Sequence, residues 1–385
     1  MTAGPGTPFG ANQRMIEREI ERRVAEHAEA WFPQGGGRPT VRLRLVTSRP
    51  RALLYAVYTE QESRQPTILA KVRRGVSQPA GNDDGARRRP RLATDQLSVS
   101  QLTALEYAGL RSIHATFADA SPMFGAVRPL DHLVDLDTIL MEYVAAGTLR
   151  ELLVGERRLS FNKRSARNRG ATEVWGRAGI WLRTFQTSML IDDLPARQSR
   201  RADVVDRFNA YDEFLRSRIG RRSVGDIATR GAQLAQSVLP ERLPMVVGHG
   251  DYAPRNMFAG EGARLTVFDP MPRWAVPRYE DLCRFLVAMR LLGLQLHTHG
   301  LAYDREGMQR RESQVIRGYC GESPVPAAQL SCYQLLIMLD KWSALVDESH
   351  GSWRTQARAV SVRLAAPYLR SEAARLLSSA DSAES

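Results

Sequence analysis

The stretch VVGHGDYAPRNMFAGEGARLTVFD, residues 246–269, sets an aspartate, an asparagine five positions on, and a second aspartate beyond a turn. Asp251, Asn256 and Asp269 carry short oxygen-bearing side chains near strand ends, where such groups converge outside a core. NMF and ARLTVF read as short apolar strands flanking AGEG, whose glycines suit a turn. Antiparallel pairing would return Asp269 to the end from which Asn256 departs, so both side chains could meet one divalent cation. Magnesium takes hard oxygen ligands and keeps waters while bridging substrate phosphates, so one carboxylate plus one amide oxygen is a sufficient protein contribution. Asp251 is then free to face a substrate hydroxyl.

In the protein-kinase template the catalytic aspartate is followed, after four residues, by a metal-binding asparagine, and a second metal-binding aspartate lies further on. Asp251 and Asn256 have that spacing. HGDYAPRN followed by VFD resembles the aminoglycoside phosphotransferase and choline-kinase-like family, which shares the protein-kinase fold, and the resemblance spans roughly residues 40–345. It implies Asp251 as catalytic base or substrate-orienting carboxylate, Asn256 and Asp269 as magnesium ligands, and His249 as structural support of the loop. It implies Lys71, ending the third strand, as the phosphate-holding lysine, with Glu106 on the following helix as its ion-pair partner. ILMEYVAAGTL resembles the hinge, where backbone groups of Glu142, Tyr143 and Val144 would meet adenine. Asp281, in RYEDLCRF, resembles the helix aspartate that braces the catalytic loop. The implied cofactors are ATP or GTP with Mg2+, and the implied acceptor is a small-molecule hydroxyl.

The chain departs from the family pattern in three places. The first strand turn, TSRPR, has no glycine; Asp269 is followed by Pro270 and Met271 in place of Phe-Gly; and an Arg-rich insertion enlarges the gap between Lys71 and Glu106. Singly, each residue has a plainer role, since Asp and Asn cap turns and a lone Lys or Glu is normally a solvated surface residue. Asp281 could equally be a first-turn carboxylate favoured by the helix dipole. Their order along one chain favours a shared site.

These residues need a scaffold of two parts. VRLRLV, LLYAVYT and TILAKV read as three antiparallel strands behind a charged helix over 15–32, which the glycines at 35–37 should end. A helix over 98–114 holds Glu106, and two further strands are expected near 124–129 and 137–144. Residues beyond 144 turn helical: LRELL, a basic loop over 157–169, then helices near 172–189, 203–218 and 223–238, with three more after Pro277. The expected architecture is α+β, a two-lobed protein-kinase-like fold with a small antiparallel β-sheet N-lobe and a larger helical C-lobe. The expected divisions are a helical extension over 1–39, a nucleotide-binding lobe over 40–144 containing an exposed insertion at about 73–97, and a helical lobe over 145–385.

The 385 residues carry a formal charge of +12, which attracts anions. Of 54 basic residues 51 are arginine, which makes Lys71, Lys163 and Lys341 candidates for places where arginine would not serve. A compact ammonium can hold α- and β-phosphate oxygens as a point charge, whereas the guanidinium fork is larger and directionally fixed. The basic clusters lack the aromatic interleaving of nucleic-acid readers, so nucleic acid is not the expected partner. His297 and His299 share no metal-ligand pattern and read as surface residues. Cys283, Cys320 and Cys332 are too few and too irregular for a disulfide framework. No apolar core follows a basic start at the N-terminus, and no run of about 18 apolar residues occurs, so a cytoplasmic protein is expected, with peripheral contact to an anionic membrane surface as a further expectation. The expected function is phosphorylation of a sugar, metabolite or glycan-type hydroxyl, since a polycationic aminoglycoside would call for carboxylates on a chain this basic. The alternatives are an antibiotic-resistance kinase and a catalytically weak pseudokinase scaffold of the same fold.

Overall fold

The structure is a computed structural model that describes residues 8–33, 40–60, 64–75, 89–90, 97–155, 170–190, 194–296, 298–348 and 354–384. Its contacts divide the chain into two units. One comprises Met1–Gly81, Gln96–Ala120 and Gly125–Ala146; the other comprises Asn82–Asp95, Ser121–Phe124 and Gly147–Ser385.

In chain order the first part of the molecule forms α1 (Pro8–Trp31), β1 (Arg42–Arg49), β2 (Ala52–Tyr58), β3 (Ile68–Arg73), α2 (Val99–Phe117), β4 (Phe124–Ala126), β5 (Pro129–Leu133) and β6 (Thr138–Glu142). Five strands make an antiparallel sheet in the order β1-β2-β3-β6-β5. On α1, Ile20, Val24 and Ala28 recur every four residues and form one apolar stripe. That stripe buries against Leu53, Tyr55 and Val57 of β2, Ile68, Ala70 and Val72 of β3, and Leu140 of β6. The pleat therefore sends Lys71 and Arg73 to the opposite face of β3. Ser98 caps α2: its hydroxyl accepts from the Gln101 N–H at 3.1 Å, and the Gln101 side chain accepts from the Ser98 N–H at 2.8 Å.

The second part adds β7 (Gly147–Thr148), α3 (Leu149–Gly155), α4 (Gly170–Ser188), α5 (Arg201–Ile219), the single turn α6 (Arg221–Val224), α7 (Ile227–Val238), β8 (Met245–Val247), β9 (Met257–Ala259), β10 (Leu265–Val267) and β11 (Ala275–Pro277). It closes with α8 (Glu280–Arg290), α9 (Arg305–Cys320), α10 (Ala327–Glu348) and α11 (Arg354–Glu384). Glycines let α4 and α9 touch backbone to backbone. A Cβ added at Gly179 would lie 2.0 Å from the Val315 carbonyl oxygen.

Several expectations are corrected. The first helix starts at Pro8, ahead of residue 15. The strand expected near 124–129 is two strands in different sheets, β4 lying beside β10 and β5 beginning at Pro129, which pairs with Met141 of β6. Among the described residues four α-helices follow Pro277 rather than three, the fourth, α11, being obscured in the sequence by Pro367 and weak apolar periodicity. The insertion is not uniformly exposed: Arg89 donates from Nε to Ser343 Oγ and from Nη2 to Asp340 Oδ1, both at 2.9 Å. A guanidinium with a carboxylate partner at hand can leave water. The glycines at 35–37, His297, the basic loop over 157–169 and most of the insertion lie outside the described residues. No helix among the described residues is long and apolar enough to cross a membrane.

Candidate active site

β8 delivers the chain into the loop Gly248-His249-Gly250-Asp251, and the loop is fastened from below. Met271 donates its N–H to the His249 carbonyl at 2.7 Å, and Gly248 donates to the Trp274 carbonyl at 3.0 Å. Gly250 sits at φ +83°, where a Cβ would come 2.7 Å from the Met271 carbonyl oxygen, so only glycine fits. The His249 N–H donates to Asp281 Oδ2 at 2.5 Å, from the first turn of α8.

His249 is fully buried, with its ring set edge-on to Trp181, Phe185 and Tyr252 at centroid distances of 5.9, 5.9 and 5.5 Å. Burial pushes its pKa down to about 4, against the opposing pull of Asp251 and Asp269. Neither ring nitrogen has a hydrogen-bond partner among the described residues, so the ring is a neutral packing element under the loop. Tyr252 locks the next position, its hydroxyl donating to the Ala178 carbonyl of α4 at 2.6 Å. Asp281 is buried too, and burial followed by the neighbouring Glu280 carboxylate raises its pKa to about 6. Burial also pushes Glu280 up, but Arg197 and Arg284 outweigh it and hold its carboxyl below the usual range.

The three oxygen-bearing residues converge on this floor. Asn256 Nδ2 donates to Asp251 Oδ2 at 2.8 Å and to the Asp251 carbonyl at 2.9 Å, which turns the amide oxygen away from Asp251. Met257 pairs with Val267 across the β9–β10 ladder, and the Phe268 N–H donates to the Asn256 carbonyl at 3.1 Å. Asp269 therefore follows directly on the residue bonded to Asn256. It adopts a left-handed backbone, φ 60°, an uncommon conformation for a residue other than glycine. Asp251 and Asp269 both act electrostatically on the His249 ring. Arg255 Nη2 forms an ion pair with Asp251 Oδ1.

In the sheet-bearing unit Lys71 Nζ lies 2.6 Å from Glu106 Oε1. Arg73, two residues on and on the same face of β3, binds the other oxygen of Glu106. Glu106 is 1 % exposed, a buried carboxylate held by two cations. At the end of β6, the Glu142 N–H is spent on the Arg128 carbonyl and the Tyr143 N–H on the Thr67 carbonyl, each at 2.9 Å. The Val144 N–H has no acceptor among the described residues.

Two charged residues at these sites escaped sequence reasoning, and a third, Lys341, was singled out without a role. Arg73 was marked by its spacing of two from Lys71 on one strand face, and Arg255 by its helical spacing of four from Asp251. Lys341 was marked only by the rarity of lysine. It stands on α10, half-buried, within electrostatic reach of Arg284, Asp340, Asp251 and Arg255.

No protein-family model matches the sequence, and no curated protein matches it. Solved structures do match along nearly the whole chain. A choline/ethanolamine kinase family protein from Mesorhizobium loti is similar with a TM-score of 0.51 at 13% identity, over 92% of this chain and 98% of that one. A macrolide 2'-phosphotransferase type I gives 0.52 at 11% identity, over 94% and 99%. A spectinomycin phosphotransferase in complex with ADP and spectinomycin gives 0.50 at 12% identity, over 94% and 98%. The chain thus has the α+β, protein-kinase-like fold of choline kinases and antibiotic phosphotransferases. At these identities the likeness defines the fold, and the chemistry has to be argued from the residues.

Proposed function

We propose that the protein is a phosphotransferase that moves the γ-phosphoryl group of ATP to a hydroxyl of a small molecule. The observation that carries this reading is the convergence of Asp251, Asn256 and Asp269 over buried His249. An outward amide oxygen and a carboxylate from adjoining backbone fit a hard, oxygen-seeking cation, so Asn256 and Asp269 would hold Mg2+. When bound, that ion would neutralise charge on the nucleotide phosphates. Asp251 accepts the proton of the acceptor hydroxyl as its oxygen bonds to the γ-phosphorus and the bond to the ADP oxygen breaks. Asn256 fixes the Asp251 carboxylate through Oδ2, and Asp281 fixes the loop through the His249 amide. Lys71, oriented by Glu106, holds phosphate oxygens, and the open Val144 N–H meets adenine. The ADP bound by a similar phosphotransferase supports the nucleotide part of this reading.

An arginine on Asp251 and a lysine within its field are poor company for a polycation. This favours a sugar, metabolite or glycan-type acceptor over an aminoglycoside. Magnesium-dependent ADP release across acceptors of different charge tests the activity. Asp251→Asn should lower kcat by about 10²- to 10⁴-fold, the usual worth of a positioned general base, while leaving nucleotide affinity intact. Equal turnover by Asp251→Asn would overturn the assignment.

A further inference from the structure

The charges around Asp251 can be followed partner by partner. Asp340, beside Lys341, is committed: Tyr211 donates to its Oδ1 at 2.8 Å and Arg89 at 2.9 Å. Arg284 is committed to Glu280 at 2.8 Å, and Glu280 also binds Arg197. Arg255 is committed to Asp251. Lys341 alone of this group makes no hydrogen bond or ion pair among the described residues, although α10 packs on α8 and α8 packs on the turn holding Arg255. Burial and the nearby Arg284 hold its ammonium below the usual lysine range, the mark of a cation that lacks a counter-charge. Lys341 is half-buried and its nitrogen is not among the sealed, unpartnered polar atoms, so an ammonium without a protein counter-charge is open to an incoming anion.

The Arg255–Asp251 pair is the second half of the picture. It occupies the carboxylate oxygen Oδ1 that Asn256 leaves open, so in this state a substrate hydroxyl must compete with a guanidinium. Its side chains are 45 % and 32 % exposed, and solvent-screened pairs of this kind are weak, so Arg255 is easily drawn away. An anion offering two oxygens to the planar fork does this well; a neutral group does it poorly, and a cation is repelled by Arg255 and Lys341 alike.

We propose that the acceptor carries a carboxylate or phosphate close to its reactive hydroxyl, that Lys341 binds this anion, and that the anion draws Arg255 off Asp251 and so frees the carboxylate for the hydroxyl proton. This rests on the phosphotransferase reading of the same site. It makes charge selection and activation of Asp251 one event: the matching substrate removes the group that blocks the base.

The three-lysine composition supplies the test. Reductive ¹³C-methylation gives Lys71, Lys163 and Lys341 separate NMR signals that keep their charge, and Lys71→Met and Lys341→Met assign two of them by loss. With Mg-ADP bound, glycerate and glycerol 3-phosphate are added in separate arms, with glycerol and choline as neutral and cationic controls. The Lys341 signal should shift with at least one anion and its titration midpoint should rise, while the controls leave it unmoved; the arm that responds tells carboxylate from phosphate. Arg255→Gln should weaken the responding anion about tenfold or more, the worth of a hydrogen bond to a charged group. A Lys341 signal indifferent to both anions, one that moves equally with choline, or an amine sealed from the reagent would each overturn the inference. The Lys71 signal reports separately: if it ignores Mg-ADP the phosphotransferase reading itself fails, whereas a responsive Lys71 with a silent Lys341 sinks only the acceptor class.

Discussion

The His249 amide donates to the Asp281 carboxylate at 2.5 Å across 32 residues of chain, and both residues are buried. The two groups are perturbed in opposite senses, His249 down to about 4 and Asp281 up to about 6.

That opposition has a pH signature. A histidine with a depressed folded pKa makes the unfolded state bind more protons between about pH 6.5 and 4, so its contribution falls as pH falls. A carboxyl with a raised folded pKa has its stabilising contribution below its unfolded pKa and loses it as pH rises towards 6, the reverse slope over nearly the same window. In the native protein the two largely cancel. Asp281→Asn keeps an acceptor for the His249 N–H and removes one arm, so the stability gap between wild type and variant should widen by about 2–3 kcal/mol on acidification from pH 6 to 4. Urea denaturation at stepped pH measures it, and parallel curves would refute the opposition.

Two glycines with positive φ offer a matched pair. At Gly250 an added Cβ meets the Met271 carbonyl oxygen at 2.7 Å, while at Gly262, φ +60°, it meets nothing within 4 Å. Gly262→Ala should cost about 1 kcal/mol of left-handed strain. Gly250→Ala adds a steric clash under the catalytic loop and should cost about 2 kcal/mol or more. Equal costs in thermal unfolding would mean that the loop is looser than its hydrogen bonds imply.

The elements easiest to foresee were those in which local periodicity and burial agree. VRLRLV alternates apolar and basic residues, LLYAVYT and TILAKV are short apolar runs bounded by polar turns, and Leu102, Leu105, Leu110 and Ile113 recur at helical spacing, which was enough to foresee β1, β2, β3 and α2. The NMF and ARLTVF pairing was legible for the same reason, and it carries Asn256 and Asp269 to one end of a hairpin. What escaped were choices made in three dimensions. Among 51 arginines nothing local separates Arg89 from a solvated neighbour, because its carboxylate lies on a distant helix, and the short spacings that tie Arg73 to Lys71 and Arg255 to Asp251 recur too often in so arginine-rich a chain to single them out. Lys341 was singled out by its rarity, but only the commitment of Asp340 to Tyr211 and Arg89 explains why it stands unpaired.

The cation site predicts a readout that does not depend on turnover. With ADP present, Mg2+ should raise the melting temperature of the wild type, since a ligand bound only by the folded state stabilises it by mass action. Asp269→Asn should shift the magnesium midpoint upward by about tenfold or more, because a neutral amide replaces the hard carboxylate oxygen. Asn256→Ala should do the same and also loosen Asp251, seen as a fall in kcat at saturating Mg2+. An unchanged midpoint in both variants would remove Asn256 and Asp269 from the metal.

Glu106 separates a structural cation from a functional one, because Lys71 and Arg73 reach it from the same strand face and yet are expected to do different work. Glu106→Gln leaves two cations beside a neutral amide in a buried position and should cost about 3–5 kcal/mol. Lys71→Met and Arg73→Met each leave one cation on the carboxylate, so each should cost less, and the double variant should cost more than their sum, since the second loss strands the buried charge. Nucleotide affinity, measured on the folded fraction of each variant, then divides them. Lys71→Met should lose it by about tenfold or more, as expected when a charge-assisted contact to phosphate is deleted. Arg73→Met should keep it, because Arg73 spends both Nε and Nη2 on Glu106 Oε2. If the two variants lose nucleotide equally, the pair acts only by holding Glu106, and Lys71 has no phosphate of its own.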